Sequence, residues 1–265
     1  MKSIILKELR LQRKLLMIWS LILLLTAAFG GIEFKGLQNQ MDMLESTVAN
    51  FPKIVKILFG VDAFPISTPL GGYASMFYWY QLVLFALAVY IGYYIVSRDE
   101  KENYADFIYT KPYDRRTIFL SKGVVVLIIN AFLSLLTAVG TIIFLVPFLT
   151  DGQSLMPHIV TSTIGVFLTQ MIFSAVGMLF GSIIKHYKKG MLAGFLVLVV
   201  IYVISFTIEY AGNLNHLNFL SPIRYFNLSD LAKRGLSPIY LALTAALIAL
   251  LIGVAIKGLG KRDLI

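Results

Sequence analysis

Long runs of apolar residues, separated by short polar segments, fill most of the sequence between residues 15 and 256. A helix needs about 20 consecutive apolar residues to cross the ~30 Å hydrocarbon core of a bilayer, and each run is close to that length or longer. The pattern therefore predicts an all-α integral membrane protein with a single transmembrane domain over residues 1–265. We predict six transmembrane helices, at residues 15–32, 73–96, 123–149, 159–184, 190–208 and 239–256.

The first 14 residues differ from the apolar run that follows, because they carry five bases and one acid. On a helical wheel the bases lie on one arc and most of the apolar residues lie on the other, although Glu8 breaks the pattern. This arrangement is typical of a helix that lies on the membrane surface. A signal peptide is the alternative, but the apolar run that follows is too long for one and further spans come after it.

The polar stretch between the second and third spans, residues 98–122, holds the densest set of charges in the chain. Within it, Tyr104, Phe107 and Ile108 are spaced so that they share one face of a short helix. Pro112 ends that helix, because proline cannot continue it. The stretch therefore predicts a short amphipathic helix between the second and third spans.

Two interpretations of residues 98–122 remain open on physical grounds. The loop could be a plain cytoplasmic anchor, since cytoplasmic loops are commonly basic. However, an anchor needs neither the many acids nor the exposed apolar triad of this loop, and such a triad suggests a docking surface. After the break, Asp114 is placed to cap the next helix, because its carboxylate can accept the free backbone N–H groups of Arg116 or Thr117.

Composition supports the membrane assignment: 58% of residues are hydrophobic, 14% are charged and the mean hydropathy is +0.81. The net charge of +9 indicates contact with anionic lipid headgroups rather than with nucleic acid. Seventeen of the 23 Lys and Arg residues fall in the segments that a six-span layout places inside. This asymmetry predicts a multi-pass protein of the cell membrane with both termini in the cytoplasm.

Residues 98–122 resemble the signature of bacterial ABC-transporter permeases of the second exporter type, the group that includes bacitracin and other antibiotic exporters. That signature runs roughly E-x-x-G-T-L-E-x-L-L-x-x-P-x-S-R-x-x-I-x-x-x-K. The positions that match it are Asp106, Ile108, Tyr109, Pro112, Arg115, Ile118 and Lys122. Asn103 and Tyr104 replace the Gly-Thr pair, and Asp114 replaces the Ser. Two weaker marks are LSPIRYF around Ser221 and the terminal KRDLI.

The resemblance implies one half of an ATP-driven exporter. Because the predicted spans offer apolar walls and little charge, we expect an amphipathic or hydrophobic substrate, such as a peptide antibiotic, a lipid or a drug. Its partners would be a separate ATPase subunit, a second permease chain of the same or a sister sequence, and membrane lipids. ATP would be hydrolysed on that separate subunit, so that this chain would be no enzyme and would need no cofactor or metal. The ATPase would dock on residues Glu100, Glu102, Tyr104, Asp106, Phe107, Ile108, Pro112 and Arg115.

The motifs that would favour another chemistry do not occur in the sequence. It has no G-x-x-x-x-G-K-[ST] phosphate loop, no H-E-x-x-H and no G-x-S-x-G. A chain without the phosphate loop is not expected to hydrolyse ATP by itself. The alternative function from another class is a non-transport membrane protein, either an assembly or sensory factor or an intramembrane enzyme without a recognised motif.

Several weaker features add expectations about packing. Gly177 and Gly181 form a G-x-x-x-G pattern, which lets helices approach closely. Glu209 ends the fifth span and is expected to be solvated. The outer segment 33–72 is expected to hold a short helix and a turn at Gly71-Gly72. The resemblance implies short helices for the outer segment 211–238.

Overall fold

The computed structural model describes residues 2–101, 114–149 and 152–260, and it is helical throughout these ranges apart from turns and short links. The α-helices are α1 (Lys2–Leu37), α2 (Met41–Ala49), α3 (Lys53–Leu58), α4 (Pro69–Lys101), α5 (Arg115–Phe144), α6 (Met156–Ile183), α7 (Tyr187–Ala211), α8 (Leu228–Arg234) and α9 (Pro238–Gly260). Short 3-10 turns lie at Gln38–Gln40, Val146–Phe148, Gly152–Leu155, Asn215–Leu220 and Pro222–Arg224.

Within the described ranges, six helices are long and apolar enough to cross a membrane, namely α1, α4, α5, α6, α7 and α9. Each of the six predicted spans overlaps one of these helices. The all-α membrane fold predicted from hydropathy is therefore confirmed. Helices α7 and α9 bury little of their apolar surface inside the protein, which suits helices that face lipid.

Residues 2–14 of the N-terminal segment are helical, as predicted, but they are not a separate element. Helix α1 runs without interruption from Lys2 to Leu37, because no proline or glycine occurs before Gly30 to break it. At about 1.5 Å per residue its 36 residues span ~54 Å, well beyond the ~30 Å hydrocarbon core. Its first turns therefore extend the first span past the bilayer core.

Helices α4 and α6 form the central pair of the bundle, and glycines let their backbones approach closely. A Cβ at Gly177 would lie 2.3 Å from the Val89 carbonyl oxygen, and one at Gly92 would lie 2.1 Å from the Ser174 carbonyl oxygen. A Cβ at Gly181 would lie 3.1 Å from the Tyr93 carbonyl oxygen. The close approach predicted from the G-x-x-x-G pattern is confirmed, and α4 is its partner.

Helix α1 packs chiefly on α5 rather than on α4. Leu23 and Ala27 are buried in this contact, and a Cβ at Gly31 would lie 1.8 Å from the Phe144 carbonyl oxygen. Helix α9 packs on α6, and α7 packs on both α4 and α6. Because α1 packs chiefly on α5, a gap remains between α1 and α4. This gap lies near the end of the bundle that carries the 98–122 loop.

The outer segments confirm two expectations and contradict a third. The short helix expected in segment 33–72 is present, since this segment contains α2 and α3. Segment 211–238 folds into the predicted short helices, and residues 221–226, the core of the LSPIRYF mark, are all buried. In contrast, the turn predicted at Gly71-Gly72 is wrong, because both residues lie in the first turns of α4. A Cβ at Gly71 would lie 1.9 Å from the Pro65 carbonyl oxygen, so this glycine allows the preceding loop to pass close to the helix.

Candidate functional site

Most of the predicted docking residues lie outside the described residues. This holds for Glu102, Tyr104, Asp106, Phe107, Ile108 and Pro112. The backbone is helical at Glu100, near the end of α4, and at Arg115, where α5 begins, but their side chains are likewise outside the description. The docking helix therefore stays a prediction. The structure describes only the two ends of the 98–122 loop that contains this helix.

Asp114 stands directly before α5, as predicted from its capping chemistry. Its backbone is extended, with φ −61° and ψ 140°, and its carbonyl oxygen accepts the N–H of Ile118 at 3.1 Å. The side chain, however, makes no capping hydrogen bond. The predicted position is therefore correct, whereas the predicted carboxylate cap on Arg116 or Thr117 does not form.

A buried ion pair holds the first end of the loop. Arg98 Nη2 donates to both carboxylate oxygens of Glu8, at 3.1 and 2.9 Å, across 90 positions of sequence. The two side chains are only 4% and 2% exposed. The guanidinium also lies 5.9 Å from the ring centroid of Tyr94, which adds a cation–π contact. The N-terminal part of α1 is thereby tied to the end of α4.

The second end of the loop is held by a buried lysine. Lys122, on the first turns of α5, is only 4% exposed, and its ammonium approaches the Val96 carbonyl oxygen on α4 at 3.5 Å. Ser97 and Ser121 are buried beside these positions. The first end of the loop is therefore tied to α1, and the second end is held against α4. A displacement of the loop would act directly on the helix at the centre of the bundle.

Sequence reasoning treated Arg98 and Lys122 as charges of the 98–122 loop without assigning them partners, and it treated Glu8 as a break in an amphipathic pattern. One signal was present: Glu8 is the only acid among five bases in the first 14 residues, on the arc opposite to most of them. An isolated acid on an apolar face commonly has a basic partner, since buried charges are paired. Nothing in the local pattern indicates which of the many bases that partner is.

A groove of about 750 Å³ opens between α1, α4 and α7 beside this ion pair. Gln12 and Lys14 stand at the end near Arg98, and Gln12 is only 2% exposed. The Gln12 amide nitrogen has no hydrogen-bond partner among the residues that the structure describes. Apart from Tyr90 and Tyr94, the rest of the lining is apolar: Leu11, Leu15, Ile18, Trp19, Leu82, Val83, Ala86, Leu87 and Phe195.

Polar side chains inside the bundle join α5 to α6 and α4. Asn130 Nδ2 donates to Ser174 Oγ at 2.8 Å, and Ser174 Oγ donates to the Ala88 carbonyl oxygen at 3.1 Å. One turn away, Ser134 donates to the Gln170 side-chain oxygen. Hydrogen bonds of this kind hold membrane helices together, because lipid offers the same groups no alternative partner. We assign these contacts to packing.

A second ion pair stabilises the opposite end of the bundle. Arg224 Nη1 donates to Glu209 Oε2 at 3.0 Å, and Arg224 Nε donates to Asn218 Oδ1 at 2.8 Å. Glu209, expected to be solvated, is 37% exposed and is therefore partly covered by its partner. Burial raises the pKa of the Tyr225 phenol above its ordinary value, and its hydroxyl donates to the Phe219 carbonyl oxygen at 2.5 Å.

Within the described ranges, no three His, Asp or Glu residues converge in a way that could hold a metal ion.

The fold defines a multi-pass helical membrane protein. Buried polar contacts hold both ends of its 98–122 loop, which the charge distribution predicts to be cytoplasmic. Residues 8–256 match the family described as multidrug efflux system permease Rv1217c, C-terminal domain. Since this match covers most of the chain, the protein belongs to that family of efflux permeases. No curated protein shows a significant match to the chain.

Family membership confirms the coarser part of the earlier resemblance, namely an efflux permease that works as a transport protein rather than as an enzyme. Placement within the bacitracin-exporter group stays a prediction. The same is true of the orientation of the termini, of the antibiotic-resistance role and of the ATPase partner.

Proposed function

We propose that this chain is the membrane-spanning permease subunit of an ATP-driven ABC exporter. Membership of a multidrug efflux permease family over residues 8–256 is the observation that carries the proposal. The resemblance of residues 98–122 to the ABC exporter signature supports the ATP-driven part of it. A separate ATPase subunit docks on this loop, and the substrate leaves the cell through a path formed with a second permease chain of the same or a sister sequence.

The anchoring of the loop supports a coupling role. Arg98 at one end is tied to Glu8 on α1, and Lys122 at the other end approaches the Val96 carbonyl oxygen on α4. Helix α4 in turn packs closely on α6 through glycines. A closing motion of the docked ATPases therefore reaches α1, α4 and α6 through packed contacts rather than through a loose linker. Packed elements of this kind shift between discrete arrangements, as alternating access requires.

The chemistry of the bundle supports an amphipathic or hydrophobic substrate. The residues that line the groove between α1, α4 and α7 are mainly apolar and aromatic, with a few polar groups at one end. Sites of this composition bind apolar molecules and use the few polar groups to orient them. A peptide antibiotic, a lipid or a drug has the required character.

The docking residues follow the sequence prediction. Tyr104, Phe107 and Ile108 insert into a groove on the ATPase, while Glu100, Glu102, Asp106 and Arg115 set the register and Pro112 ends the helix. A buried aromatic anchor commonly contributes about 2 kcal/mol or more to an interface, whereas charges at the rim contribute less.

The first experiment is co-purification of the chain from its native membrane in mild detergent, followed by identification of the proteins that accompany it. We expect an ATPase with a phosphate loop, and ATP hydrolysis only in preparations that contain it. Robust hydrolysis by a preparation free of any other chain would refute the subunit role.

The second experiment compares Phe107→Asp with Lys101→Ala at matched expression. Phe107→Asp should release the ATPase, or leave it bound without driving export, because it places a charge in the apolar contact. Lys101→Ala, on the predicted solvated face, should retain both binding and export. If the two variants export equally well and bind the ATPase equally well, the loop is only a membrane anchor and the docking hypothesis is wrong.

The orientation can be tested independently, because the chain has no cysteine. A cysteine introduced at Ser154 or Asn213 should react with a membrane-impermeant thiol reagent in intact cells, and one at Lys188 should not. All three positions are exposed, so that a difference in labelling reports the side of the membrane. The reverse labelling pattern would overturn the predicted cytoplasmic termini.

A further inference from the structure

The groove between α1, α4 and α7 changes in polarity along its length. At one end stand Gln12 and Lys14, which offer an amide donor and an ammonium, together with the Tyr94 hydroxyl. Deeper in the groove the walls are apolar, with Trp19 on α1 and Phe195 on α7. The groove therefore matches a molecule that has a polar, hydrogen-bond-accepting head and an apolar chain.

The length of the groove matches one leaflet of a bilayer. Its wall on α4 runs from Leu82 to Tyr94. At 1.5 Å per residue these positions are about 18 Å apart along the helix. Half of a ~30 Å hydrocarbon core is ~15 Å, so a chain lying along this wall would cover a single leaflet. The polar end lies beside Arg98, next to the 98–122 loop, and thus at the surface that the charge distribution predicts to be cytoplasmic.

The charge of the groove selects an anionic head. Among the described residues that line it none is Asp or Glu, and Lys14 belongs to the basic N-terminal segment. The one acid of that segment, Glu8, is already paired with Arg98. Each Lys or Arg near a membrane surface strengthens the attraction of anionic lipid.

The Gln12 amide supplies the second, independent observation. Its nitrogen is buried and has no hydrogen-bond partner within the part of the chain that the structure describes, although the residue lines the groove. A buried amide donor without a partner is destabilising, and an acceptor oxygen that reached it from the groove would relieve this. Phosphate and ester oxygens of a phospholipid are such acceptors, and they occur at this depth.

We propose that the groove binds an anionic phospholipid of the inner leaflet, with its phosphate and ester oxygens at Lys14 and Gln12 and one acyl chain along Trp19 and Phe195. A second copy of this chain is a less suitable occupant, because a twofold-related surface would bring the same basic segment against itself. The lipid site shares its groove with the argument for an amphipathic or hydrophobic substrate, but it does not depend on the ATPase partner, so that a failed co-purification would leave it in place.

Trp19 provides a local probe, because the chain has only two tryptophans and the other, Trp79, can be replaced by phenylalanine. The full-length Trp79→Phe variant, purified in detergent, is titrated with phosphatidylglycerol or phosphatidylcholine that carries bromine atoms on the acyl chains. Bromine quenches tryptophan fluorescence only at short range. The quenching curve therefore gives an apparent Kd for each lipid at this groove.

We expect saturable quenching with a lower Kd for phosphatidylglycerol than for phosphatidylcholine. Lys14→Gln should raise the Kd for phosphatidylglycerol about fivefold and that for phosphatidylcholine by less, because the choline ammonium offsets the charge of the same phosphate. Gln12→Leu should raise both Kd values by about fivefold, since both lipids carry the acceptor oxygens. The matched control is Arg13→Gln, which removes the same charge from an exposed neighbour outside the groove lining and should change neither Kd.

Three results would overturn the proposal. Equal Kd values for the two lipids would exclude selection of an anionic head. Equal effects of Lys14→Gln and Arg13→Gln would indicate a diffuse surface attraction instead of a site. The third result is an absence of quenching at Trp19, with the reciprocal Trp19→Phe variant as the positive control. If that variant shows quenching at the exposed Trp79, protein rather than lipid covers the groove.

Discussion

Replacing Glu8 by leucine tests the ion pair that anchors the 98–122 loop. The carboxylate and the Arg98 guanidinium approach to 2.9 Å and are only 2% and 4% exposed. At an effective dielectric constant of about 20, unit charges at this distance attract each other by about 6 kcal/mol, much of which offsets their desolvation. Removing one partner leaves the other charge buried, which costs about 3–5 kcal/mol. Glu8→Leu should therefore destabilise the protein strongly.

Thermal unfolding in mild detergent, followed by the fraction of protein that stays monodisperse, measures this effect. For a chain of this size each kcal/mol corresponds to about 2–4 °C, so the apparent Tm should fall by roughly 10 °C. The control is Glu33→Leu on the same helix, where the side chain is exposed. That substitution should cost about 0.5 kcal/mol or less.

A double-mutant cycle separates the pair from other effects of the substitutions. Arg98→Leu should also destabilise the protein, because it leaves the carboxylate buried without the guanidinium. The double variant Glu8→Leu with Arg98→Leu should be much more stable than the sum of the single effects predicts, since an apolar pair often replaces a buried ion pair at little cost. Additive single effects, or a Glu8→Leu cost no greater than that of Glu33→Leu, would refute the reasoning.

Two further predictions concern packing. Gly177→Ala should lower the free energy of unfolding by about 1–3 kcal/mol, because its Cβ would lie 2.3 Å from a carbonyl oxygen of α4. Gly253→Ala is the control, since a Cβ there would have no atom within 4 Å, and it should be neutral or stabilising in the same unfolding assay. Equal Tm values for the two would contradict the close α4–α6 contact. Arg224→Leu should loosen the outer segment 211–238 and speed its proteolysis, because it removes both hydrogen bonds of the guanidinium. Arg234→Leu, at an exposed position of the same segment, should leave the rate of proteolysis unchanged. Unchanged proteolysis of Arg224→Leu would mean that the ion pair does not hold this segment.

The number and rough position of the membrane helices follow from the sequence alone. Partition of a helix into lipid depends on the summed hydrophobicity of some 20 consecutive residues, which is a local property. Close packing at Gly177 was predicted for a similar reason, since small residues four positions apart always share a helix face. The position of Asp114 before α5 follows from its short-range relation to the residues just after it.

Contacts between distant parts of the chain were decided by the tertiary structure. Local periodicity showed that Glu8 was out of place but could not identify Arg98 as its partner, because the pairing depends on which helices become neighbours. The same holds for Gly71, which lies where the loop at Pro65 passes too close to the helix for a side chain. It also holds for the groove beside Gln12, which exists because α1 packs chiefly on α5 rather than on α4. Hydropathy specifies which segments enter the membrane, whereas the interhelical packing of those segments determines where their polar groups meet.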